Sequence, residues 1–178
     1  MLTEYFILEQ DPYYKTGIQF PINQYYKYSK RIQRADYSGL ADFDVILLEP
    51  SNFHLYPDVL SKQVFMVSQD ILDAILIFDS KMDYSTRYLM DRKNRELNTY
   101  FIPHLQAVHC LSESEDITTK CNTIKLDITK IPQSNHIFQI GDIDENAIVV
   151  SLALLEAVLR RKPKMISYTR IKSNEVKS

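Results

Sequence analysis

Glycine is scarce in this chain of 178 residues, which contains only three. Gly17, Gly39 and Gly141 stand far apart. A phosphate-binding loop and a dinucleotide-binding fingerprint both need clustered glycines, because the backbone must approach the phosphate closely. The nucleophile elbow of hydrolases needs glycines beside its serine, and neither Ser68 nor Ser151 has one. The sequence therefore excludes these three motifs.

Metal-ligand patterns are also missing. The chain has two cysteines, Cys110 and Cys121, and no C-x-x-C or H-x-x-x-H spacing. The four histidines are His54, His104, His109 and His136. We therefore expect no structural zinc site and no cofactor. We expect the two thiols to be small, buried or half-buried side chains rather than a disulfide.

Long apolar runs and a charge bias are absent as well. No stretch of 18 apolar residues occurs, so we expect no membrane-spanning helix. A net charge of −2 argues against a dedicated nucleic-acid-binding protein. The segment MLTEYFILEQ has an acidic residue where a secretory signal needs positive charge, and its apolar run is short. These features predict one cytoplasmic domain over residues 1–178.

What the chain does contain is a repeated segment. VFMVSQDILDAIL (residues 64–76) and AIVVSLALLEAVL (residues 147–159) align without a gap, and the same register continues beyond both. The aligned pairs include Val67 with Val150, Ser68 with Ser151, Leu72 with Leu155, Thr86 with Thr169, and Arg87 with Arg170. This indicates a duplicated unit that covers residues 64–88 and 147–171.

Each copy of the unit predicts a strand, a serine-capped helix and a second strand. A short β-branched or apolar run precedes the serine, and an apolar-periodic segment follows it. Serine is a preferred N-cap, because its hydroxyl accepts a hydrogen bond from a free amide of the first turn. We therefore interpret Ser68 and Ser151 as structural N-caps rather than nucleophiles. The two main helices should cover residues 69–78 and 152–161, and an approximate twofold axis should relate the copies.

The rest of the chain predicts mostly strands. They cover residues 3–10, 44–49, 97–112, 121–131 and 136–140. Pro103 interrupts the third of these, which indicates an edge strand or a bulge. The run MDRKNREL (residues 90–97) predicts a solvated hairpin loop, and a further helix is expected near residues 22–34. The fold class is therefore α+β, with a mixed or antiparallel sheet.

The stretch YYKYSKRIQR (residues 25–34) interleaves tyrosines with cations. This pattern is typical of a platform for single-stranded nucleic acid, of a protein-binding surface, or of an ordinary basic helix on the surface. The candidate partner-binding residues are Tyr25, Tyr26, Tyr28, Arg31 and Arg34. Asp70 and Asp73, on the first repeated helix, belong to a solvated face or to a second protein-binding patch.

An enzymatic site is the remaining alternative. It would be formed by His104, His109 and Glu113, whose side chains need not converge. If the two histidines lay on one strand, their odd spacing would point them to opposite sides. Because no nucleophile with an adjacent base emerges, we expect that the protein is not an enzyme.

Five further segments lie between about residue 44 and residue 171: DVILLEPSNFHLYPDVLSKQVFMVSQDILDAI, TYFIPHLQAVHCLSESE, IKLDITKI, HIFQI and IVVSLALLEAVLRRKP. In order and spacing, they resemble a bacterial family of immunity proteins from polymorphic toxin systems. LSESE and VVSLALLEAVLRR are the most specific. The resemblance implies a cytoplasmic protein that binds and occludes a cognate toxin, and it supplies no catalytic residue. A nucleic-acid-binding accessory protein is the alternative function.

Overall fold

The computed structural model describes residues 4–112, 124–143 and 147–173, and its fold is α+β with mixed sheets, as the sequence predicts. The helices are α1 (Ile22–Ile32), α2 (Gln69–Phe78) and α3 (Leu152–Leu159). The strands are β1 (Tyr5–Gln10), β2 (Phe43–Leu47), β3 (Val59–Leu60), β4 (Met66–Val67), β5 (Tyr84–Asp91), β6 (Glu96–Pro103), β7 (Ala107–Val108), β8 (Lys125–Leu126), β9 (Ile137–Ile140), β10 (Ile148–Ser151), β11 (Ile166–Arg170) and β12 (Lys172–Ser173). Among the described helices, none is long and apolar enough to cross a membrane.

The strands form two five-stranded sheets. The first sheet has the order β2-β5-β6-β4-β3, and the second has the order β11-β1-β10-β9-β7. Strands β2 and β5 pair in parallel, as do β7 and β9, and the other neighbours within these two sheets are antiparallel. A parallel pair of β12 with β8 forms a small third sheet. The two copies of the repeat therefore lie in different sheets.

Each copy of the repeat folds as a split strand–helix–strand unit. In the first copy β4 and β5 lie on either side of β6, and α2 connects them. In the second copy β10 and β11 lie on either side of β1, and α3 connects them. The orders β5-β6-β4-β3 and β11-β1-β10-β9 thus correspond strand by strand. The first sheet adds β2 beside β5, whereas the second adds β7 at its opposite end.

The return strands of the two copies are offset by one residue from the ungapped sequence alignment. A phenylalanine of the central strand marks equivalent positions, because it pairs with both flanking strands. Phe101 pairs with Val67 and Thr86, and Phe6 pairs with Val150 and Arg170. The strand before the helix keeps the expected register. In the return strand, however, Thr86 corresponds to Arg170, so the alignment of Thr86 with Thr169 and of Arg87 with Arg170 is wrong.

Aromatic contacts support the corrected register. The ring of Tyr84 lies edge-on to the ring of Phe101, with 5.7 Å between centroids. The ring of Tyr168 lies edge-on to the ring of Phe6, at 6.2 Å. Tyr84 and Tyr168 are equivalent in the corrected register but not in the ungapped one. The structure therefore retains a pair of contacts that the sequence alignment misses.

The one-residue offset sends two arginines to different environments. Arg87 is completely buried, whereas Arg170 is exposed and pairs with the carboxylate of Glu4. The extra residue of the second copy lies between α3 and β11, where Lys162 and Met165 have positive φ angles of 52° and 54°. A shift of one residue reverses the side to which a strand points its side chains.

Both sheets and the two repeated helices contribute to one central core. Ile71 of α2 and Leu154 of α3 are buried there, together with Phe6 and Leu8 of β1. The intervening side chains of β1 point to a different core on the far side of the second sheet. Because both faces of the central strands are buried, their sequences are continuous apolar runs such as YFIL (residues 5–8) rather than alternating patterns.

The predicted strand over residues 97–112 is divided between the two sheets. Strand β6 of the first sheet ends at Pro103, and β7 of the second sheet begins at Ala107. Proline has no N–H group and cannot extend the hydrogen-bonded ladder. The nitrogen of Pro103 faces away from β5, on the side where β4 pairs only as far as Phe101, so Pro103 stands at a local edge, in agreement with the expectation, and marks the crossing between sheets.

The predicted strand over residues 121–131 is also shorter than expected. Within the described part of this segment, only Lys125–Leu126 forms a strand, and a 3-10 turn follows at Ile128–Lys130. The Asp127 side chain accepts hydrogen bonds from the Thr129 N–H, at 3.1 Å, and from its hydroxyl, at 2.6 Å. Such local bonds favour a turn over a continued strand. Cys121 lies outside the described residues.

The two serines begin their helices in similar extended conformations, but only one hydroxyl caps its helix. Ser151 Oγ accepts a hydrogen bond from Leu154 N at 3.3 Å, and His136 Nδ1 lies 2.9 Å from the same oxygen. Ser68 Oγ makes no such bond, so the predicted capping bond there is wrong. The backbone N–H of Ser151 donates to the carbonyl of His136, whereas that of Ser68 donates to the carbonyl of Asp58. The first copy therefore has no imidazole in the position that orients the Ser151 hydroxyl.

Candidate functional site

Helix α1 does not present the tyrosine and arginine side chains as one binding platform. Tyr28 is completely buried, and its hydroxyl is hydrogen bonded to the carboxylate of Asp44. Helical periodicity places Tyr28 on the same face as the buried Ile32, and this face packs on the first sheet. The prediction that Tyr28 contacts a partner is therefore wrong.

The remaining candidates on α1 are only partly available. Tyr26 and Arg34 are exposed, whereas Tyr25 is half-buried and its ring lies 5.4 Å from that of Tyr26. The guanidinium of Arg31 donates to the carbonyl of Ser38 at 2.5 Å. The exposed groups that remain include the Tyr26 ring and the Lys30 ammonium, which lies 6.0 Å from the centroid of that ring. The nucleic-acid interpretation depended on several exposed rings, and Tyr28 and Tyr25 do not supply them.

Strand β5 carries a line of buried polar residues beneath α1. Ser85, Arg87 and Asp91 are almost completely buried on the same side of the strand. The sequence analysis did not identify this line, because alternate polar residues in a strand usually indicate a solvent-facing side. Ser85, Arg87 and Asp91 each contact a different segment beside the first sheet.

Arg87 is held by backbone carbonyls and by an aromatic ring. Its Nη1 donates to the carbonyls of Ala41, at 3.1 Å, and of Thr86, at 2.6 Å. Its guanidinium lies 5.0 Å from the centroid of the Tyr28 ring. Burial lowers the pKa of Arg87, whereas the nearby Tyr28 and Asp44 raise it. This environment makes Arg87 a structural cation that anchors α1 and β2, and not a group available to a substrate.

Asp91 forms a buried pair with a histidine from the loop after β2. His54 Nδ1 lies 2.6 Å from Asp91 Oδ2, and both side chains are inaccessible to solvent. Asn94 donates to the same carboxylate through its backbone N, at 3.1 Å, and its side-chain Nδ2, at 2.5 Å. Burial by itself raises the pKa of Asp91, but these hydrogen bonds lower it by more, to about 2. The carboxylate therefore fixes the β5–β6 turn.

Asp91 should make the stability of the protein depend on pH in the acid range. Its folded pKa, about 2, lies below its ordinary value of 3.8, so the unfolded chain takes up a proton first as the pH falls. The stability contributed by Asp91 is present above the ordinary pKa and is lost as the pH falls toward 2. We expect a decline of Tm across this window that is smaller in Asp91→Asn. Thermal unfolding followed by circular dichroism tests this, and equal declines would contradict it.

Two of the three candidate residues for an enzymatic site, His104 and His109, are described, and they have different partners. His104 Nε2 lies 2.7 Å from Ser85 Oγ, and its ring stacks on Tyr37 with 4.5 Å between centroids. His109 pairs instead with Asp142, at 2.7 Å. Glu113 lies outside the described residues.

The contact between Ser85 and His104 does not form an accessible nucleophile. His104 lies in the wall of a polar cleft of about 190 Å³, but the Ser85 hydroxyl belongs to a residue that is 1% exposed. Burial lowers the pKa of His104, although Asp83 raises it. Burial also raises the pKa of the free Cys110 thiol to about 12, so this buried cysteine is inert at neutral pH. Among the described residues, no cluster of three metal ligands occurs.

A different surface emerges on the first sheet, on the side opposite α1. We call it the open face. Its side chains occupy adjacent positions on β2, β5 and β6 and therefore point to the same side of the sheet. They are Phe43, Val45, Leu47, Thr86, Tyr88, Met90, Leu97 and Thr99. Phe43 of β2 is 70% exposed and Leu97 of β6 is 59% exposed, so apolar side chains reach solvent on both sides of β5.

The open face results from incomplete coverage by α2. This helix packs on Phe101 of β6, which belongs to the central core with Ile71 and Ile75. Phe101 stands in the same row as Thr86 and Phe43. The helix thus covers one end of the row and leaves the rest uncovered. Contiguous exposed apolar side chains of this kind mark interaction surfaces more often than isolated ones do.

Helix α2 forms one border of the open face and carries the two candidate aspartates. Asp70 and Asp73 are both exposed on this helix, and Asp73 accepts a hydrogen bond from Gln69 Nε2 at 2.7 Å. Ile77 of the same helix is also exposed. The exposed side of α2 therefore combines two carboxylates with an apolar side chain.

The outer edge of β2 is blocked at its centre. Val45 N donates to Asp44 Oδ1 at 2.8 Å, and the carbonyl of Val45 accepts from Gln24 Nε2 at 3.5 Å. Side chains thus occupy the backbone groups that another strand would need for pairing, which is a common protection of exposed sheet edges. A partner of the first sheet would have to bind the open face rather than this edge.

Comparison with models of known protein families finds no match to this chain, and comparison with curated protein sequences finds none either.

Proposed function

We propose that this chain is a binding protein that neutralises a cognate bacterial toxin by covering the toxin's active site, and that it docks through the open face. The observation that supports this most is the row of uncovered apolar side chains across β2, β5 and β6. An inhibitor that acts by occlusion needs a stable scaffold and an apolar surface with a polar border. The family resemblance of the sequence supports the same function.

The open face has the composition that such a contact requires. Phe43, Val45 and Leu97 are exposed, and Tyr88 and Met90 are half-buried between them. Aromatic and methionine side chains are enriched at the centres of protein interfaces, where they bury apolar area with few polar groups to desolvate. These side chains stand on strands, so no backbone has to be ordered when a partner binds.

This placement differs from the expectation that the tyrosine-rich stretch contacts the partner. Helix α1 covers one side of the first sheet through Tyr28, and the open face lies on the other side. A rigid partner that sits on the open face would therefore not contact Tyr26 or Arg34 at the same time. Substitutions on the two sides of the sheet distinguish the two surfaces.

Charge introduced into the open face should abolish binding of the partner. Val45 and Leu97 are 40% and 59% exposed, so Val45→Lys with Leu97→Lys should leave the fold intact. An interface that buries these two lysines without partners would lose most of its affinity. The measurement is affinity capture of tagged protein from the cells that naturally contain it, with bound proteins identified by mass spectrometry. The matched control is Tyr26→Ala with Arg34→Ala on α1.

Capture of a protein does not by itself establish that the chain neutralises a toxin. The captured partner, produced alone in bacteria, should stop growth, and co-production of this chain should restore it. The doubly substituted open face should not restore growth, whereas the α1 control should. A partner without toxicity, or recovery of nucleic acid alone, would refute the proposed function. Loss of protection only in the α1 control would keep the function and move its surface to α1.

A further inference from the structure

The turn between β5 and β6 stands at one end of the open face. Met90 and Leu97 form the last pair of the two strands on that face, and the turn of residues 92–95 lies just beyond this pair. None of the side chains of the open face is charged, whereas the turn carries Arg92, Lys93 and Arg95. The turn therefore adds cations to an apolar surface that has no charge of its own.

A buried carboxylate fixes the backbone of this turn. Asp91 Oδ1 accepts hydrogen bonds from the backbone N of Lys93, at 2.9 Å, and of Asn94, at 3.1 Å. Asp91 Oδ2 accepts a further bond from Asn94 Nδ2 at 2.5 Å and pairs with the buried His54. Because the turn is already ordered, its side chains can meet a partner without ordering the backbone first.

The two arginines of the turn are accessible and have no carboxylate partner in the described chain. Both Arg92 and Arg95 are exposed. Across residues 4–112, 124–143 and 147–173, neither guanidinium belongs to an ion pair. Lys93 differs from them, because its Nζ donates to Asn52 Oδ1 at 2.9 Å, in the loop after β2. The arginines are thus the cations of the turn that remain for a partner.

The carboxylates near the turn do not neutralise it. Glu96 stands at a position of β6 from which side chains point toward α1, as that of the buried Tyr100 does. Glu49, two residues after β2, is exposed, and it forms no ion pair with any described residue. The three cations of the turn outnumber these two carboxylates, so this end of the open face is positively charged.

Arg95 has a backbone conformation that is unfavourable for its own side chain. Its φ is 59°, in the left-handed region, where the Cβ of a residue other than glycine costs free energy. Glycine or asparagine is the usual residue where a short hairpin loop needs this conformation. The Arg95 side chain thus weakens the turn that carries it. Such an outlier at an exposed position indicates a role in binding rather than in the fold.

We propose that Arg92 and Arg95 pair with clustered carboxylates of the toxin that docks on the open face, so that the active site which this chain covers is an acidic one. This inference rests on the function proposed above. Guanidinium groups bind carboxylates through paired hydrogen bonds, and complementary charge accelerates association and selects the partner. Carboxylate-lined active sites belong to enzymes that hold metal ions or that use carboxyl groups as general acids and bases.

The distribution of charge favours an acidic protein over a nucleic acid as the occupant. A single strand would need cations along its whole track, with exposed rings between them for successive bases. The open face instead has its cations at one end and an uncharged apolar row across the three strands. A protein surface that combines an apolar patch with carboxylates at one border matches this pattern.

Neutralising both arginines should weaken binding of the toxin. The probe is the growth-arresting protein recovered by affinity capture, and its binding is followed by surface plasmon resonance at several salt concentrations. Arg92→Gln with Arg95→Gln should lower the affinity at least about tenfold, chiefly through slower association, and should reduce its dependence on salt. Arg34→Gln with Arg160→Gln removes the same charge from exposed arginines elsewhere and should change the affinity less than about twofold.

Arg95→Gly separates binding from stability. Glycine adopts the positive φ without strain, so this variant should have a higher Tm than the wild-type protein and yet bind the toxin more weakly. Lys162→Gly is the matched control, because Lys162 has a φ of 52° and lies between α3 and β11. It should also raise Tm, and it should leave binding unchanged. A lower Tm of Arg95→Gly would overturn the inference, because the side chain would then stabilise the fold.

A covalent readout tests whether the carboxylates belong to the active site. In the complex of Arg95→Lys with the toxin, a water-soluble carbodiimide should couple the new amine to a toxin carboxylate, which mass spectrometry identifies. Replacing that carboxylate by its amide should abolish toxicity. Coupling only to carboxylates that toxicity does not require would overturn the assignment of an acidic active site.

The remaining outcomes separate this inference from the proposed function. Unchanged affinity and salt dependence after Arg92→Gln with Arg95→Gln would overturn the inference. If Val45→Lys with Leu97→Lys still abolished binding, the proposed function would stand. A captured partner that does not arrest growth would refute the proposed function and this inference with it. Binding of a labelled single-stranded oligonucleotide that the two arginine substitutions abolish would identify nucleic acid as the occupant instead.

Discussion

Replacing Leu154 with alanine should destabilise both halves of the molecule together, by about 3 kcal/mol. Leu154 is completely buried in α3, in the core cluster that also contains Ile71 and Ile75 of α2 and residues of both sheets. A cavity at this point removes contacts from both copies of the repeat. Because the copies share this core, we expect one cooperative transition at a lower denaturant concentration.

Hydrogen exchange measures whether the two halves respond together. Slowly exchanging amides of β6 in the first sheet and β10 in the second should lose the same free energy of protection in Leu154→Ala. Leu152→Ala is the matched control, since Leu152 belongs to the same helix but is exposed, and it should cost less than about 1 kcal/mol. A loss of protection confined to the second sheet would show that the two halves unfold independently.

Removing the carboxylate of Asp44 should also cost about 3 kcal/mol, because it leaves a buried cation without a nearby negative charge. Asp44 accepts hydrogen bonds from Lys27, at 2.6 Å, and from the Tyr28 hydroxyl, whose ring lies against Arg87. Burial raises the pKa of Asp44, and the bonds from Lys27 and Tyr28 lower it by more, so the group is ionised at neutral pH. Asp44→Ala therefore isolates the charge of Arg87.

A double substitution tests this explanation. Arg87→Met replaces the buried cation with an apolar side chain of similar length, and should by itself change the free energy of unfolding far less than Asp44→Ala does. In the Arg87→Met background, Asp44→Ala should lose most of its effect. Denaturant unfolding of the four proteins gives the coupling energy directly. If the two effects add, Asp44 does not stabilise the protein through Arg87.

The helices and the duplicated units could be predicted from the sequence, because their signals are local. Helix α2 spans the predicted residues 69–78, and α3 ends at Leu159, two residues before the predicted end. Each apolar run before a serine forms the predicted strand, and MDRKNREL contains the turn of the β5–β6 hairpin. A buried strand, a helix start and a charged turn are each determined by a few adjacent residues.

The candidate site could not be predicted in the same way, because it depends on which face of an element another element covers. The pattern of residues 25–34 does not reveal that Tyr28 turns inward to meet Arg87 and Asp44. The apolar strand DVILLE (residues 44–49) indicates a buried strand, but not that α2 stops short of it and leaves Val45 exposed. Both outcomes arise from tertiary packing.

The register of the second copy shows a limit of a different kind. Identities at Thr86 with Thr169 and at Arg87 with Arg170 favour an ungapped alignment, but the strand pairing requires an offset of one residue. A single extra residue in a loop has little effect on sequence similarity. In a strand it exchanges the inner and outer sides, so side chains that align in sequence occupy opposite environments.

The position of β1 between β10 and β11 has a consequence for synthesis on the ribosome. The first unit is contiguous from β3 to β6, so its strands and helix emerge in succession and can pair at once. In the second unit the central strand β1 is made first and its neighbours β10 and β11 are made last. Glu4, just before β1, and Arg170 of β11 are 166 residues apart in the chain. The apolar segment of β1 therefore stays without its partners until β10 and β11 have been translated, and a chaperone that binds extended apolar segments can bind it in that interval.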